Sequence, residues 1–166
     1  MKQLKTILLA TAVCIGSISF SQAQSKVAHI ITQELIHAMP GFKSAQTELE
    51  AMQKTYTTDI QNSITEIQNL QKQYQAEAPN KTDEENQKRV VELQEKEQRI
   101  AVFQQDAQKS LAEKRAELLK PVEEEAMKAI NEVAKAQGFN YVLDRATLIV
   151  AEGTDILAAV KTQLGI

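Results

Sequence analysis

The sequence predicts an α+β chain that is mostly α: a long antiparallel helical hairpin, a coiled-coil-like arm, inserted in a small β-rich oligomerisation base. Three observations predict it. From Phe42 to Gln137 there is no glycine, and the only prolines are Pro79 and Pro121. Glycine costs about 1 kcal/mol in a helix interior and proline about 3, so a stretch filled with Gln, Glu, Lys and Ala favours very long helices. Apolar residues recur on either side of Pro79 at the steps of a helix seam, and after Gly138 the period changes to short apolar runs. Rods on a small base point to function by shape and surface, not by a chemical site.

Residues 1–23 read as a signal peptide. Lys2 and Lys5 form a positive start, Ile7 to Ile18 is almost wholly apolar or small, and Ser21-Gln22-Ala23 offers a small-x-small cleavage site. The apolar run falls short of the ~20 residues of a spanning helix. Export to the periplasm with cleavage after Ala23 is the expectation. Cys14, inside the apolar run and preceded by Thr11-Ala12-Val13, does not match a lipoprotein site. It is the only cysteine, so the mature chain has no disulfide and no thiolate for catalysis or metal binding. The chain has 19 basic and 22 acidic residues; without Lys2 and Lys5 the formal charge is −5. An acidic protein with no basic block is a poor nucleic-acid binder. With no Trp and few Phe and Tyr, a base left over from one long hairpin is small, and oligomerisation is its natural remedy.

The base, expected over 24–40 and 138–166, begins with Lys26-Val27-Ala28-His29-Ile30-Ile31, a short β-like run. Thr32 can cap a brief helix through Met39, which Pro40-Gly41 ends or re-aims. The arm, expected over 41–137, starts with a helix to about Ala78. Its stripe is Phe42, Ala45, Leu49, Met52, Tyr56, Ile60, Ile64, Ile67, Leu70 and Tyr74. The spacing begins as a heptad seam and stutters between Tyr56 and Ile67, which locally relaxes left-handed supercoiling. The tip lies near 77–83. Ala78-Pro79-Asn80-Lys81 breaks the pattern, and Thr82-Asp83-Glu84-Glu85 restarts it as a capping box with acidic residues on the helix dipole. The return helix carries Val90, Leu93, Ile100, Phe103, Ala107, Leu111 and Leu118, interrupted by Glu97 and Gln104. At Pro121 the helix is expected to kink or restart, with Glu123 to Glu125 as a first turn. Val122, Ala126, Ile130 and Val133 continue the stripe, and Gly138 supplies a C-terminal cap.

The tail reads as a strand over Phe139 to Asp144, a turn at Arg145-Ala146-Thr147 and a second strand over Leu148 to Ala151. Glu152-Gly153-Thr154-Asp155 turns again, and a last helix follows to about Leu164. Both tail strands are apolar on each face near their centres, as expected of strands covered on both sides. With the strand at Val27 they would form one sheet from the two ends of the chain. Val27, Ile30, Tyr141, Val142, Leu143, Leu148, Ile149 and Val150 are the candidate oligomerisation residues.

Val27 to Ile31, Met39-Pro40, Gln46-Thr47-Glu48-Leu49, Leu119-Lys120-Pro121-Val122, Ala129-Ile130, Val133-Ala134, Gly138 to Asp144 and Thr154-Asp155-Ile156 together resemble the Skp/OmpH group of periplasmic chaperones. The resemblance runs over essentially the whole mature chain and rests on the order of packing residues. It implies a homotrimer in which three small sheets join as a β-barrel-like body, with three helical hairpins hanging around a cavity. It also implies that unfolded outer-membrane proteins are held there without nucleotide or any other cofactor. A holdase needs dispersed apolar surface inside a protected space.

This chain departs from the group in charge. From Gly41 to Lys120 there are 12 basic and 14 acidic residues, which argues against a lipopolysaccharide site and against steering of acidic clients. Met52, Tyr56, Tyr74 and Phe103 are the candidate client contacts, and the same stripe is also the hairpin seam. His29 and His37 are too far apart for a helical metal pair and read as surface or packing residues. Asp144 and Asp155 read as turn or cap residues. No G-x-G-x-x-G, P-loop, G-x-S-x-G or H-E-x-x-H is present, so neither an enzyme nor a metal site is expected. The alternative to the holdase is a structural coiled-coil scaffold or adaptor of the envelope that binds one folded partner.

Overall fold

The structure, a computed structural model, describes residues 25–166; the signal peptide and its cleavage after Ala23 fall outside the described residues. The elements are β1 (Val27–Ile30), α1 (Thr32–Ala38), α2 (Pro40–Glu77), a 3-10 turn (Ala78–Asn80) and α3 (Asp83–Gln137). They are followed by β2 (Tyr141–Asp144), a second 3-10 turn (Arg145–Thr147), β3 (Thr154–Asp155) and α4 (Leu157–Leu164). Two helices of 38 and 55 residues, joined by the first 3-10 turn, form the arm, and the remaining elements gather at its root.

The arm helices form for the reasons their composition gives. Every stripe residue from Phe42 to Tyr74 is partly or fully buried against α3, and Ala45 and Ile67 are fully so. At 1.5 Å per residue, α2 spans about 57 Å. The tip reverses the chain through the 3-10 turn. There the Thr82 hydroxyl accepts from the Glu85 N–H while the Glu85 carboxylate accepts from the Thr82 N–H, a complete capping box. At the far end of α3, Gly138 has φ +72°. Its N–H reaches Lys135 O, and Phe139 N–H reaches Ala134 O at 2.9 Å, the paired bonds of a Schellman cap.

The sheet has order β2-β1-β3, and β1 is parallel to both neighbours. Val27 faces Tyr141 and Ile30 faces Asp144 on one side, while Ala28 faces Thr154 and His29 faces Asp155 on the other. Parallel strands require a crossover, and between β1 and β2 the crossover is the entire arm. Ala28 and Ile30 point into a core with Leu35, Met39, Val122, Ala126, Ile130, Val133, Ile156 and Val160. The base is therefore built from both chain ends packed on the last four turns of α3.

Five expectations are corrected. Thr32 is the first residue of α1 and caps nothing; Ile31 takes the cap position and no side chain bonds there. Pro121 neither ends nor restarts the helix. Residues 83–137 are one helix, with Glu123 to Glu125 exposed in its interior. The single lost N–H bond is offset by Val122, buried beside Gly41, where an added Cβ would lie 3.0 Å from Val122 Cγ2. Val90 is 47% exposed, because Arg89 and Leu93 occupy the seam at that level. Leu148 to Ala151 is not a strand; the third strand is Thr154–Asp155. Asp144 accepts from the Ala146 N–H and Leu148 N–H returns to Arg145 O, which turns the chain away from β2 and leaves Leu148 to Ala151 without a ladder partner. Nor is β2 covered on both faces, since Tyr141 and Leu143 are exposed.

The core sets the stability. Leu35→Ala empties a fully buried site and is expected to cost about 2–5 kcal/mol in urea unfolding. Gly138→Ala meets no neighbouring atom, so it should cost only the strain of its positive φ, about 1–2 kcal/mol. A larger loss from Gly138→Ala than from Leu35→Ala would show that the helix cap, not the base core, limits stability.

Candidate functional site

Three cross-arm rungs interrupt the apolar seam. Near the root, Lys114 Nζ lies 3.1 Å from Glu48 and 3.3 Å from Glu117. At mid-arm Lys96 Nζ lies 3.0 Å from Glu66. Near the tip Arg89 pairs with Glu77 and stacks over the Tyr74 ring at 4.5 Å. The Tyr74 hydroxyl donates to Glu92 at 2.7 Å, and Asn86 Nδ2 donates to Ala78 O at 3.1 Å. The three basic residues have partly buried stems and stand at heptad steps with Leu93, Ile100, Phe103 and Ala107. Long basic side chains can fill such positions by burying their methylenes and keeping the charge at the rim.

These contacts show in the ionisation of the groups. Hydrogen bonds from Gln73 and Arg89 hold the Glu77 carboxyl below its ordinary value, and the Thr82 N–H does the same for Glu85. The Glu48 and Glu117 carboxylates hold Lys114 above its usual value. The hydrogen bond to Glu92 raises Tyr74.

The four arm candidates differ in what they offer. Met52 is partly buried in the seam. Tyr56 meets Phe103 edge-on, centroids 5.8 Å apart at 74°. Phe103 is 39% exposed, so one side is pinned and the other is open. Shallow grooves flank it, one with Ile67 and Ile100, the other with Val102 and Asp106. Tyr74 is committed on its ring to Arg89 and at its hydroxyl to Glu92, and belongs to the tip fastening.

At the base, the eight candidates divide by strand alternation. Ile30 is buried and Val142 packs against the core. Val27, Tyr141 and Leu143 are exposed on the opposite face; nearby along the chain, Ile149 is fully exposed and Val150 70% exposed, while Leu148 is half-buried. His29 shares their side of the sheet yet is buried, with Nε2 3.1 Å from Gly153 O and Nδ1 4.0 Å from Asp155. Asp155 also accepts the Leu157 N–H at 2.9 Å, at the start of α4. Sequence reading missed Arg89, Lys96 and Lys114 as seam residues; holding the heptad register through Leu93 and Ile100 would have found them.

Among the described residues no helix is long and apolar enough to cross a membrane, and no three His, Cys, Asp or Glu side chains cluster as metal ligands. The family described as outer membrane protein (OmpH-like) matches residues 26–164. A solved OmpH-like chain from Caulobacter crescentus CB15, given as a candidate outer membrane chaperone, superposes with a TM-score of 0.76 at 21% identity. The match covers 86% of this chain and 85% of that one. No curated protein matches.

Acid should loosen the tip. Glu77 and Glu85 sit below their ordinary 4.5 in the folded chain. Their contribution is therefore complete above that value and lost as pH falls through the lower folded values. In an NMR titration from about pH 6 to pH 3, the Glu85 and Asn86 amides should move and lose protection before those of the base. Tip amides that hold while the base melts would contradict this.

Proposed function

The chain belongs to the OmpH-like family, and we propose that it is an ATP-independent periplasmic holdase that binds unfolded outer-membrane proteins and prevents their aggregation. The observation that carries the reading is the placement of uncovered apolar surface. On the base, Val27, Tyr141 and Leu143 are uncovered on one face of the sheet and Ile149 and Val150 in the loop that follows, and isolated residues lie along the arm, with Phe103 the one exposed aromatic of the four arm candidates.

The exposed base residues serve assembly. Fully burying a side chain such as Ile149 is worth about 1.5–3 kcal/mol, and several together are enough to join base to base in a homotrimer. The arms then surround a common space. Phe103, with Tyr56 behind it and Met52 in the same seam, offers clients an exposed ring beside shallow grooves that mix apolar side chains such as Ile67, Ile100 and Val102 with charged ones such as Arg99 and Asp106. Such a surface selects for exposed apolar side chains rather than for a sequence. Binding of this kind needs no bond chemistry, nucleotide or metal. The near-neutral arms give no reason to add lipopolysaccharide or nucleic acid to the partners.

The three cross-arm rungs favour a second reading, a stiff spacer that docks one folded partner. The two separate in one experiment. A urea-denatured outer-membrane barrel is diluted with and without the mature protein, following light scattering and the mass of any complex. The holdase suppresses aggregation of several unrelated barrels; a spacer leaves all of them unchanged.

Two substitutions refine the reading. Phe103→Glu should weaken client binding about tenfold or more and leave the oligomer intact; dissociation of the oligomer would make Phe103 structural. Ile149→Asp should break the oligomer while the monomer keeps its helicity, and a trimer that survives it would remove Ile149 from the assembly face. Val142→Asp, by contrast, should unfold the base, since Val142 packs on the core.

A further inference from the structure

We infer that the groove between the roots of α2 and α3 is a binding site for a single-headed amphipathic anion, a free medium-chain alkyl carboxylate. The groove holds about 610 Å³, within the range of about 300–1,000 Å³ typical of small-molecule sites. Phe42 and Leu49 of α2 and Leu111 and Leu119 of α3 supply its apolar lining, and Lys43 and Arg115 its cations. All four apolar residues are partly buried, so the lining is fixed by the seam itself. At the base end the His37 ring lies 4.5 Å from the Phe42 ring and closes the groove.

Charge complementarity argues for the headgroup. Among the described residues neither Lys43 nor Arg115 has a carboxylate within ion-pair distance, although the adjacent Lys114 has two. The one carboxylate in the lining, Glu50, accepts from Gln46 Nε2 at 3.0 Å. Two free cations over an apolar floor, in a chain of net negative charge, favour an anion with a hydrocarbon body. A guanidinium holds a carboxylate through two parallel bonds, which the ammonium can supplement.

The walls argue against an extended peptide. Both are helical: in the first turn of α2 the Phe42 and Lys43 N–H groups bond Met39 O, and beyond it the backbone groups are paired within each helix. A peptide sunk into the groove would leave the backbone groups on its inner side unsatisfied, at a cost in free energy for each, whereas a client resting across the exposed Phe103 ring keeps its backbone in water. A ligand whose polar atoms are confined to one end leaves none. This site stands apart from the holdase reading, because it needs only the folded root of one hairpin.

The test is isothermal titration of the mature protein with sodium dodecanoate kept below its micelle concentration. Dodecanol and phosphatidylglycerol vesicles are the comparison arms. Saturable binding of one dodecanoate per chain is expected, with dodecanol weaker. Combined Lys43→Gln and Arg115→Gln should weaken dodecanoate about tenfold or more and abolish the preference over dodecanol. Combined Lys72→Gln and Lys88→Gln, an equal charge change near the arm tip, should leave binding as it was. Leu49→Trp, with helicity checked by circular dichroism, should fill the groove and block binding; if it unfolds the root, Gln53→Trp on the groove rim replaces it. No saturable binding to the assembled protein, as when a second copy covers the groove, would overturn the site. So would equal binding of dodecanol, an unaffected double variant, or binding to vesicles alone.

Discussion

β1 pairs in parallel with β2 on one side and β3 on the other, so four residues near the start of the described chain hold both segments of its end. Closing β1 onto β2 brackets every residue of the arm. Loop-closure entropy grows only with the logarithm of length, about 0.6 kcal/mol per doubling, so the base tolerates a very long insertion provided the two ends of the hairpin return side by side. The hairpin guarantees that return, because its seam pairs the first turns of α2 with the stretch of α3 around Val122. The largest fully buried side chains of the base, Ile30, Leu35, Met39, Ile156 and Val160, come from either side of the arm in the chain. The base therefore cannot close before the last helix exists, while the arm can form from local contacts as soon as its own residues are available.

The arm balances apolar seam against charge. Exposed ion pairs contribute about 0–1 kcal/mol each, so the three rungs do not hold the helices together; the stripe from Phe42 to Tyr74 does. What the rungs supply is register. Glu48 with Lys114, Glu66 with Lys96 and Glu77 with Arg89 all place their partners across the same antiparallel alignment. A slip by one heptad would separate all three pairs and leave the partly buried Arg89 without its carboxylate. The apolar seam alone, with Ile at three of its central positions, would tolerate such a slip more easily.

What the sequence made legible were features whose cause is local. The capping box at Thr82 and Glu85, the left-handed cap at Gly138 and the stripe on α2 depend on neighbours within a few residues, and each stands where the pattern put it. The misreadings share a different origin. Leu148 to Ala151 has the composition of a strand, but a strand needs a partner edge, and the bonds of Asp144 and Leu148 within the turn remove it from the only edge it could reach. Pro121 carries a helix breaker's chemistry, yet a fully buried Val122 outweighs one missing hydrogen bond. Arg89, Lys96 and Lys114 were passed over because hydropathy weighs the charged head and ignores the stem. Of the candidate sites, the split of the base residues into a core face and an outer face follows from strand alternation once β2 is placed. The burial of His29 does not, since it depends on β3, which only the tertiary structure reveals.

The distribution of apolar surface separates two kinds of association by magnitude. On the base, Val27, Tyr141, Leu143, Ile149 and Val150 are all exposed within a few elements of one another in the chain, and burying them as a set would remove more apolar area than any single contact along the arm. On the arm, exposure is single and partial: Phe103 has one side against Tyr56, and Val90, Val91 and Val102 stand among charged neighbours. Each such contact is worth a fraction of a buried side chain, and only a partner that touches many of them at once gains appreciable affinity. A folded protein presents few complementary sites in a row, whereas an unfolded apolar chain presents many and can rearrange to meet them. On the proposed reading, the same residue types, concentrated at the base and scattered along the arm, would suit lasting pairing of like chains at one end and reversible, additive contact with unlike chains along the other.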